Sequence, residues 1–512
     1  MTDPYDRLAY PGFAYAATHP ARLYAVGLLF GLEPAAPDSC RVLELGCGDG
    51  GNALSIAQTL PGASVLGVDA AAGAIARGSE LAAAAGLSNV ELRCASFEQL
   101  GAGGERASEE LGSFDYIVSH GVYSWVPPPA RAALLDCVRR CLAPNGIAFV
   151  SYNAYPGSYL RDMARDILGY HVREIEDPQR KLAAAQELMQ TIVAIEEPSP
   201  FARVLREHME RMLRYSDALL FHDDLAEVAT PFYFHEFVEH ATRRGLQFLS
   251  EADLFESQLR DVPAGAGELI ASLPDDAVVR EQYLDFFKNR MFRQTLLCHA
   301  EVAVNRTLDH QVVERLWIAS SARPSEGVAS EGEPSAEAAG ETFATPEGFT
   351  VTTSEQLVAA AMLALGEAWP AALSFRELLD RARQGRDLDA PADEAAARLR
   401  EVLLQAYLAQ IALLLGCSPP VERSPRGRPC ASALARAQHA AGADILSSLL
   451  HANARLEGEL EPRLLSLLDG TRDVGELARE SSAGVEDVEL ALKRICSVGL
   501  LASNDPVGDA GV

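Results

Sequence analysis

From Cys40 to Ala154, short apolar runs alternate with amphipathic ones, a rhythm that predicts a parallel sheet covered by helices on both faces. CRVLEL (40–45) reads as a buried strand, NALSIAQTL (52–60) as a helix and SVLGVDA (64–70) as a second strand. VELRCASF (90–97), FDYIVSHGV (114–122) and GIAFVSYNA (146–154) supply three more strands. The helices AGAIARGSELAAAAG and ARAALLDCVRRCLAP lie between them, and Pro144, Asn145 and Gly146 form the turn into the fifth strand. From about 157 to 225 the apolar period becomes helical, which predicts an insertion over the sheet. Strand-like runs then resume in LQFLSEADL (246–254) and MFRQTLLCHAEV (291–302), so the seven-stranded Rossmann-like α/β fold closes near residue 305.

The flanks divide by composition. Residues 1–38 form an aromatic, turn-rich arm (YDRLAYPGFAYAATHP) and a helix, 39–156 the nucleotide-binding core, 157–225 the insertion, and 226–310 the segment that completes the sheet. Residues 320–348 are rich in Ser, Pro, Gly, Ala and Glu and poor in large apolar side chains, which predicts a disordered acidic linker. Two C-terminal units follow, a helical or winged-helix module over 350–420 and a second over 430–505. The latter has the order helix, turn at Asp469-Gly470-Thr471, helix, longer helix, short strand.

With 512 residues, 72 Asp plus Glu and 44 Lys plus Arg, the net charge is -28. That balance argues against nucleic acid as a partner, because phosphate binding needs a basic surface. Nine cysteines without a C-x-x-C or Cys/His cluster predict neither a metal site nor a disulfide framework. A reducing cytoplasm is expected, without membrane insertion, since no apolar run approaches about 18 residues.

ELGCGDGGN (44–52) joins the first strand to its helix through four glycines, which permit a tight turn and close approach of a cofactor. Asp69, ending the second strand, is placed to bind ribose hydroxyls or to cap the next helix. A dinucleotide loop is one reading. The loop also resembles motif I of class I S-adenosyl-L-methionine (SAM) methyltransferases, E/D-x-G-x-G-x-G, through Glu44, Gly46, Gly48 and Gly50. This resemblance implies a SAM site formed by Glu44, Gly46, Cys47, Gly48, Asn52, Asp69 and Ala70. Ser96 and Phe97 stand where an acid and an apolar residue often flank adenine, with Glu98 as the nearest acid, and Ser119 and His19 complete the expected cofactor contacts.

SHGVYSWVPP follows the fourth strand, at the edge where open α/β sheets hold ligands. His120, Tyr123 and Trp125 are therefore candidates for the transfer cleft or for the aromatic core, as are Asn153 and Tyr155 after the fifth strand. Tyr5, Tyr10 and His19 either close over the cofactor or anchor the arm. The arm, ELGCGDGGN, SHGVYSWVP, SYNAYPG, HDDLAEVATPFYFHEFVEHATRRGLQFLSEAD and DFFKNRMFRQTLLCH together resemble bacterial methyltransferases with a methyltransferase regulatory domain. Studied relatives act on lysines of a rickettsial outer-membrane protein. The resemblance implies SAM dependence and methylation of a protein or peptide, with lysine expected and a homodimer left open. Methylation of a small molecule and a non-catalytic scaffold are the alternatives. LLDGTRDVGELARE…GLLA is similar to winged-helix modules that bind peptide precursors, with an inert helical cap as the other reading.

Overall fold

Strand β1 (Arg41–Leu45) is buried at four of its five positions, as its VLEL run requires. It lies between β2 (Ser64–Asp69) and β4 (Phe114–Ser119), with β3 (Val90–Cys94) beyond β2. On the other side follow β5 (Leu142–Asn153), β7 (Phe292–His299) and β6 (Leu246–Glu251), giving the order β3-β2-β1-β4-β5-β7-β6. Strands β1 to β5 pair in parallel, whereas β7 runs antiparallel to both of its neighbours. The connections reverse direction between β1 and β4, and such a switch point leaves a crevice at the strands' carboxyl ends. The computed structural model describes residues 12–102, 111–195, 199–260, 262–325, 340–384 and 391–503.

The expected turn at Pro144–Gly146 lies inside the long β5. Phe114 pairs with Leu142 and Tyr116 with Ile147, so the extra residues are absorbed as an irregularity rather than ending the strand. Among the described residues the insertion's long helices are Ser158–Val172, Pro178–Ala194 and Pro200–Met212, followed by the short helical segments Asp217–Leu219 and Leu220–Asp224. They bury Leu168, Val172, Ala185, Met189 and Met209 in a core of their own. Asp177 and Ser199 cap the second and third by accepting from Arg180 N and Ala202 N, each with proline at the start of the helix.

The closing segment is held by Arg293 on β7, whose side chain has 0% exposure. Its guanidinium donates to Glu251 on β6 (2.7 Å) and to Glu281 (3.1 Å) and Asp285 (2.8 Å) of the helix Ala277–Lys288. It also stands 3.8 Å from the centre of the Phe234 ring. One cation thus joins two strands and two helices that share little local sequence.

The linker expectation is corrected at both ends. Arg323–Pro324, Glu341–Ala344 and Thr350–Thr353 form a small antiparallel sheet, and Phe343 is fully buried. One large apolar side chain in a polar stretch was enough to anchor it, while residues 326–339 lie outside the described residues. The helices Gln356–Ala368, Phe375–Arg383 and Ala392–Leu408 share a core with Leu23–Leu29, Val42, Tyr116 and Phe149, so this unit is packed on one face of the sheet. The last unit has its own core, including Leu464, Leu477, Leu492 and Leu501. It contains the helices Ala433–Ala440, Leu460–Leu467, Val474–Ser481 and Val485–Ser497 and a hairpin pairing Leu446–Ser447 with Asn453–Ala454.

Replacing Arg293 with alanine leaves Glu251 without its cation and Glu281 and Asp285 with Arg290 alone. Urea unfolding is expected to show a loss of about 3–5 kcal/mol. A loss below about 1 kcal/mol would mean that the cluster does not hold the segment.

Candidate active site

The glycine loop is fixed by β2. Gly46 N and Cys47 N donate to Val68 O (2.8 and 3.1 Å), and Gly48 N donates to Asp69 Oδ2 (2.8 Å). Gly46 and Gly50 have φ of 80° and 78°, and a Cβ at either would strike Val122 or Leu92. Gly48, at φ 58°, differs in that a Cβ there would meet nothing within 4 Å. Among the described residues its outer side faces open space at the switch point. A Cβ on Gly51 would lie 2.5 Å from the Gly12 carbonyl carbon, so the N-terminal arm crosses the loop in contact with its backbone.

Glu44 is buried at 4% exposure at the end of β1. Its Oε1 accepts from Asn52 Nδ2 (3.1 Å); Oε2 makes no well-formed hydrogen bond among the described residues, and the Ala53 N–H of the next helix lends the carboxyl a weaker one. Burial pushes its carboxyl up to about 8, and the charges of Asp49 and Asp69 add to the rise. Asn52 Oδ1 in turn accepts from Tyr15 N (2.9 Å) and Thr18 Oγ1 (3.1 Å) of the arm. The Tyr15 ring stacks on His120 at 3.6 Å between centroids and 20° between planes. Burial pushes His120 down to about 4. Burial also raises the Tyr15 hydroxyl, helped by the charges of Glu44, Asp223 and Asp49. Asp223 comes from the insertion side, where burial pushes it up to about 6 against the pull of Arg161.

These contacts sort the expected residues. Glu44, Gly46, Gly48, Asp69 and His120 converge on the switch point, with Ser119 immediately before His120 and its buried Oγ unpartnered. Asp69 also accepts from Ala71 N (2.8 Å) ahead of the next helix, so its capping and loop-binding contacts coexist. Ala70 is exposed beside it, and half-buried Ser96 and Phe97 lie just beyond β3. Trp125 is half-buried, with Arg161 and Arg165 of the insertion each 5.7 Å from its ring centre. Asn153 is nearly buried, and Tyr155 donates to Asp162 Oδ2 (2.8 Å).

Four placements correct the sequence reading. Tyr123 is fully buried among Tyr152, Phe232 and Phe237, its hydroxyl against His240 Nδ1, so it is a core residue. His19 caps the helix Pro20–Leu29 and its Nε2 meets Thr59 Oγ1 (2.9 Å), away from the loop. The Cys47 side chain is wedged beneath the loop toward Gly67, where an added Cβ would lie 2.9 Å from its sulfur. Both ends of the Asn52 amide are engaged, so it positions Glu44 and the arm rather than facing a ligand. Tyr5 and Tyr10 lie outside the described residues. Tyr15 and Asp223 were missed. Tyr15 belongs to the same aromatic arm as Tyr5 and Tyr10, but its partner His120 is more than a hundred residues away, which no local pattern reveals.

Residues 42–146 match the family model described as a methyltransferase domain, and 216–299 match the predicted methyltransferase regulatory domain. Residues 427–495 match the PKMT C-terminal winged helix domain. The uncharacterized protein RP028 of Rickettsia prowazekii (strain Madrid E) is 36% identical over 247 residues, 48% of this chain and 96% of that protein. The chain belongs to the class I SAM-dependent methyltransferases with a methyltransferase regulatory domain. RP789 of the same organism, also uncharacterized, is 34% identical over 318 residues, 62% of this chain but only 56% of that protein. The structure of PKMT2 from Rickettsia typhi in complex with AdoHcy superposes with a TM-score of 0.83 at 26% identity, covering 96% of this chain and 99% of that one.

The methyltransferase has the vacant polar valences and the room that a SAM methionine end requires: Oε2 of Glu44, the Ser119 hydroxyl and the open side of Gly48. Asp69, half-buried, has lone pairs beyond those used by Gly48 and Ala71 for ribose hydroxyls. Gly48→Val puts a side chain into that space, and Asp69→Ala removes the loop's acceptor. Each is expected to weaken SAM binding at least about tenfold in calorimetry, with a lower melting temperature as well, because Val is strained at the positive φ of Gly48 and Asp69→Ala removes two backbone acceptors. Unchanged affinity in both would contradict the assignment of this crevice.

Proposed function

We propose that this enzyme methylates side-chain amines of a protein or peptide, with lysine as the acceptor. The observation that carries the proposal is the stack of Tyr15 on His120 beside the glycine loop, with the charges of Asp223 and Asp49 felt at the Tyr15 hydroxyl. Such a lining suits an alkylammonium that must enter, shed a proton and align. The near full-length likeness to PKMT2 supports the same reading.

SAM bound at the loop supplies an electrophilic methyl group. Making a lysine amine neutral at pH 7 costs about 4.6 kcal/mol; desolvation of the amine offsets part of that, whereas the carboxylates favour the entering cation, and Asp223 is the group proposed to take its proton. His120, pushed down to about 4 by burial, is uncharged at pH 7 and does not repel the incoming cation. Asp223, pushed up to about 6, is mostly ionised at that pH and offers a carboxylate to the ammonium. The Tyr15 hydroxyl keeps its proton, and its oxygen can accept from an amine N–H to aim the lone pair. The arm and insertion exclude water, so alignment rather than a strong base carries the rate.

Exposed Tyr170, Ile195, Val204 and Tyr215 on the insertion support a homodimer formed through that unit. Nine free thiols support a reducing cytoplasm, and no helix among the described residues is long and apolar enough to cross a membrane.

Incubation with methyl-labelled SAM and a bacterial lysate, followed by peptide mapping, is expected to place label on lysine side chains. Label confined to small molecules would overturn the proposal. His120→Ala and Asp223→Asn should lower kcat about tenfold or more while changing SAM affinity little. Equal losses in both would assign these residues to the cofactor instead.

A further inference from the structure

The winged-helix domain reaches the cofactor loop through its hairpin. Asn453 clamps the arm at both backbone atoms of one residue: Oδ1 accepts from Ala14 N (3.0 Å) and Nδ2 donates to Ala14 O (2.9 Å). The next residue, Tyr15, donates its N–H to Asn52, and Asn52 donates to Glu44. Three residues thus connect Asn453 to the buried carboxylate on the floor of the SAM crevice.

A second set of contacts runs alongside. His451, buried at 2% exposure, bridges Thr18 Oγ1 (3.3 Å) on the arm and Ser55 Oγ (2.8 Å) on the helix that follows the glycine loop. On that same helix, Gln58 donates to the carbonyls of Ser447 (3.3 Å) and Ser448 (3.4 Å) and accepts from Ser432 Oγ (2.6 Å). The hairpin therefore holds two separate pieces of the crevice, the arm and the helix Gly51–Thr59, in one register.

The arm around Gly12 to Tyr15 has no helix or strand of its own. Ordering such backbone costs about 1–2 kcal/mol per residue, so its placement over the loop depends on partners supplied by other segments. We propose that the winged-helix domain latches the SAM site, with Asn453 as a positioning residue that sets SAM affinity through Ala14, Tyr15 and Asn52. The proposal rests on the SAM reading of the crevice and adds a role for the C-terminal domain in cofactor binding, distinct from acceptor recognition.

The test is calorimetric titration of SAM into the full chain and its variants, with acceptor KM measured at saturating SAM. Asn453→Ala should raise the SAM Kd about fivefold or more, and Asn453→Asp, which keeps the acceptor for Ala14 N, should raise it less. Because Tyr15 also meets the acceptor, acceptor KM at saturating SAM should rise by a smaller factor than the SAM Kd. Arg472→Ala, which breaks ion pairs to Asp469 and Glu480 elsewhere in the same domain, should leave SAM affinity as it was.

A SAM Kd within about twofold of the wild type in Asn453→Ala would overturn the proposal. So would an acceptor KM that rises as much as the SAM Kd or more, or a rise in Arg472→Ala equal to that in Asn453→Ala. If Asn453→Ala loses its cooperative melt, the Asn453→Asp shift decides by the twofold limit. A wild-type chain that fails to bind SAM would instead remove the cofactor reading itself.

Discussion

A carboxylate is sealed beneath the crevice without a counter-charge, and much of the surrounding structure exists around that fact. Glu44 sits at the carboxyl end of the central strand, so its place follows from the register of β1 between β2 and β4. Burying such a group without a counter-charge drives it toward the neutral acid. Because its folded-state value of about 8 lies above the ordinary 4.5, the sign of the linkage is fixed. Its contribution to stability is full below about 4.5 and is lost as pH rises through 8. A fold that holds a neutral acid here at pH 7 can ionise it when a cationic methionine end arrives.

The remaining elements bring groups to that point from distant parts of the chain. Asn52 orients Glu44 and carries the arm, the arm brings Tyr15 onto His120, and the insertion brings Asp223. The Arg293 cluster stabilises the antiparallel pair β6 and β7 that completes the sheet beside β5. There burial outweighs the pull of Arg293 and pushes Asp285 up to about 6. Both clusters are polar interiors whose members come from several elements, and both are therefore sensitive to the loss of a single partner.

What was legible beforehand follows from this geometry. The strands, the glycine loop and Asp69 are local signals: apolar runs of strand length, glycines at positive φ and an acid at a strand end. The same is true of the helical insertion and of the last module, with its Asp469 turn. Tyr123 and His19 were misjudged because an aromatic after a strand, or a histidine in the arm, reads alike whether it faces the crevice or the core. Which way each turned was decided by Phe237 and by Thr59 respectively, far off in sequence. The strand ends inside the supposed linker escaped notice because Phe343 alone supplies their burial. The clamp of Asn453 on Ala14 spans 439 positions and leaves no periodic trace.

The most direct measurement is the heat of SAM binding at pH 7 in buffers of different ionisation enthalpy. Free enzyme with Glu44 near 8 is mostly protonated at that pH, and a cation arriving beside the carboxylate expels the proton. Release of close to one proton per SAM is expected, about 0.9 at pH 7, vanishing in Glu44→Gln. A binding heat independent of buffer in the wild type would contradict the placement of Glu44 beneath the SAM cation.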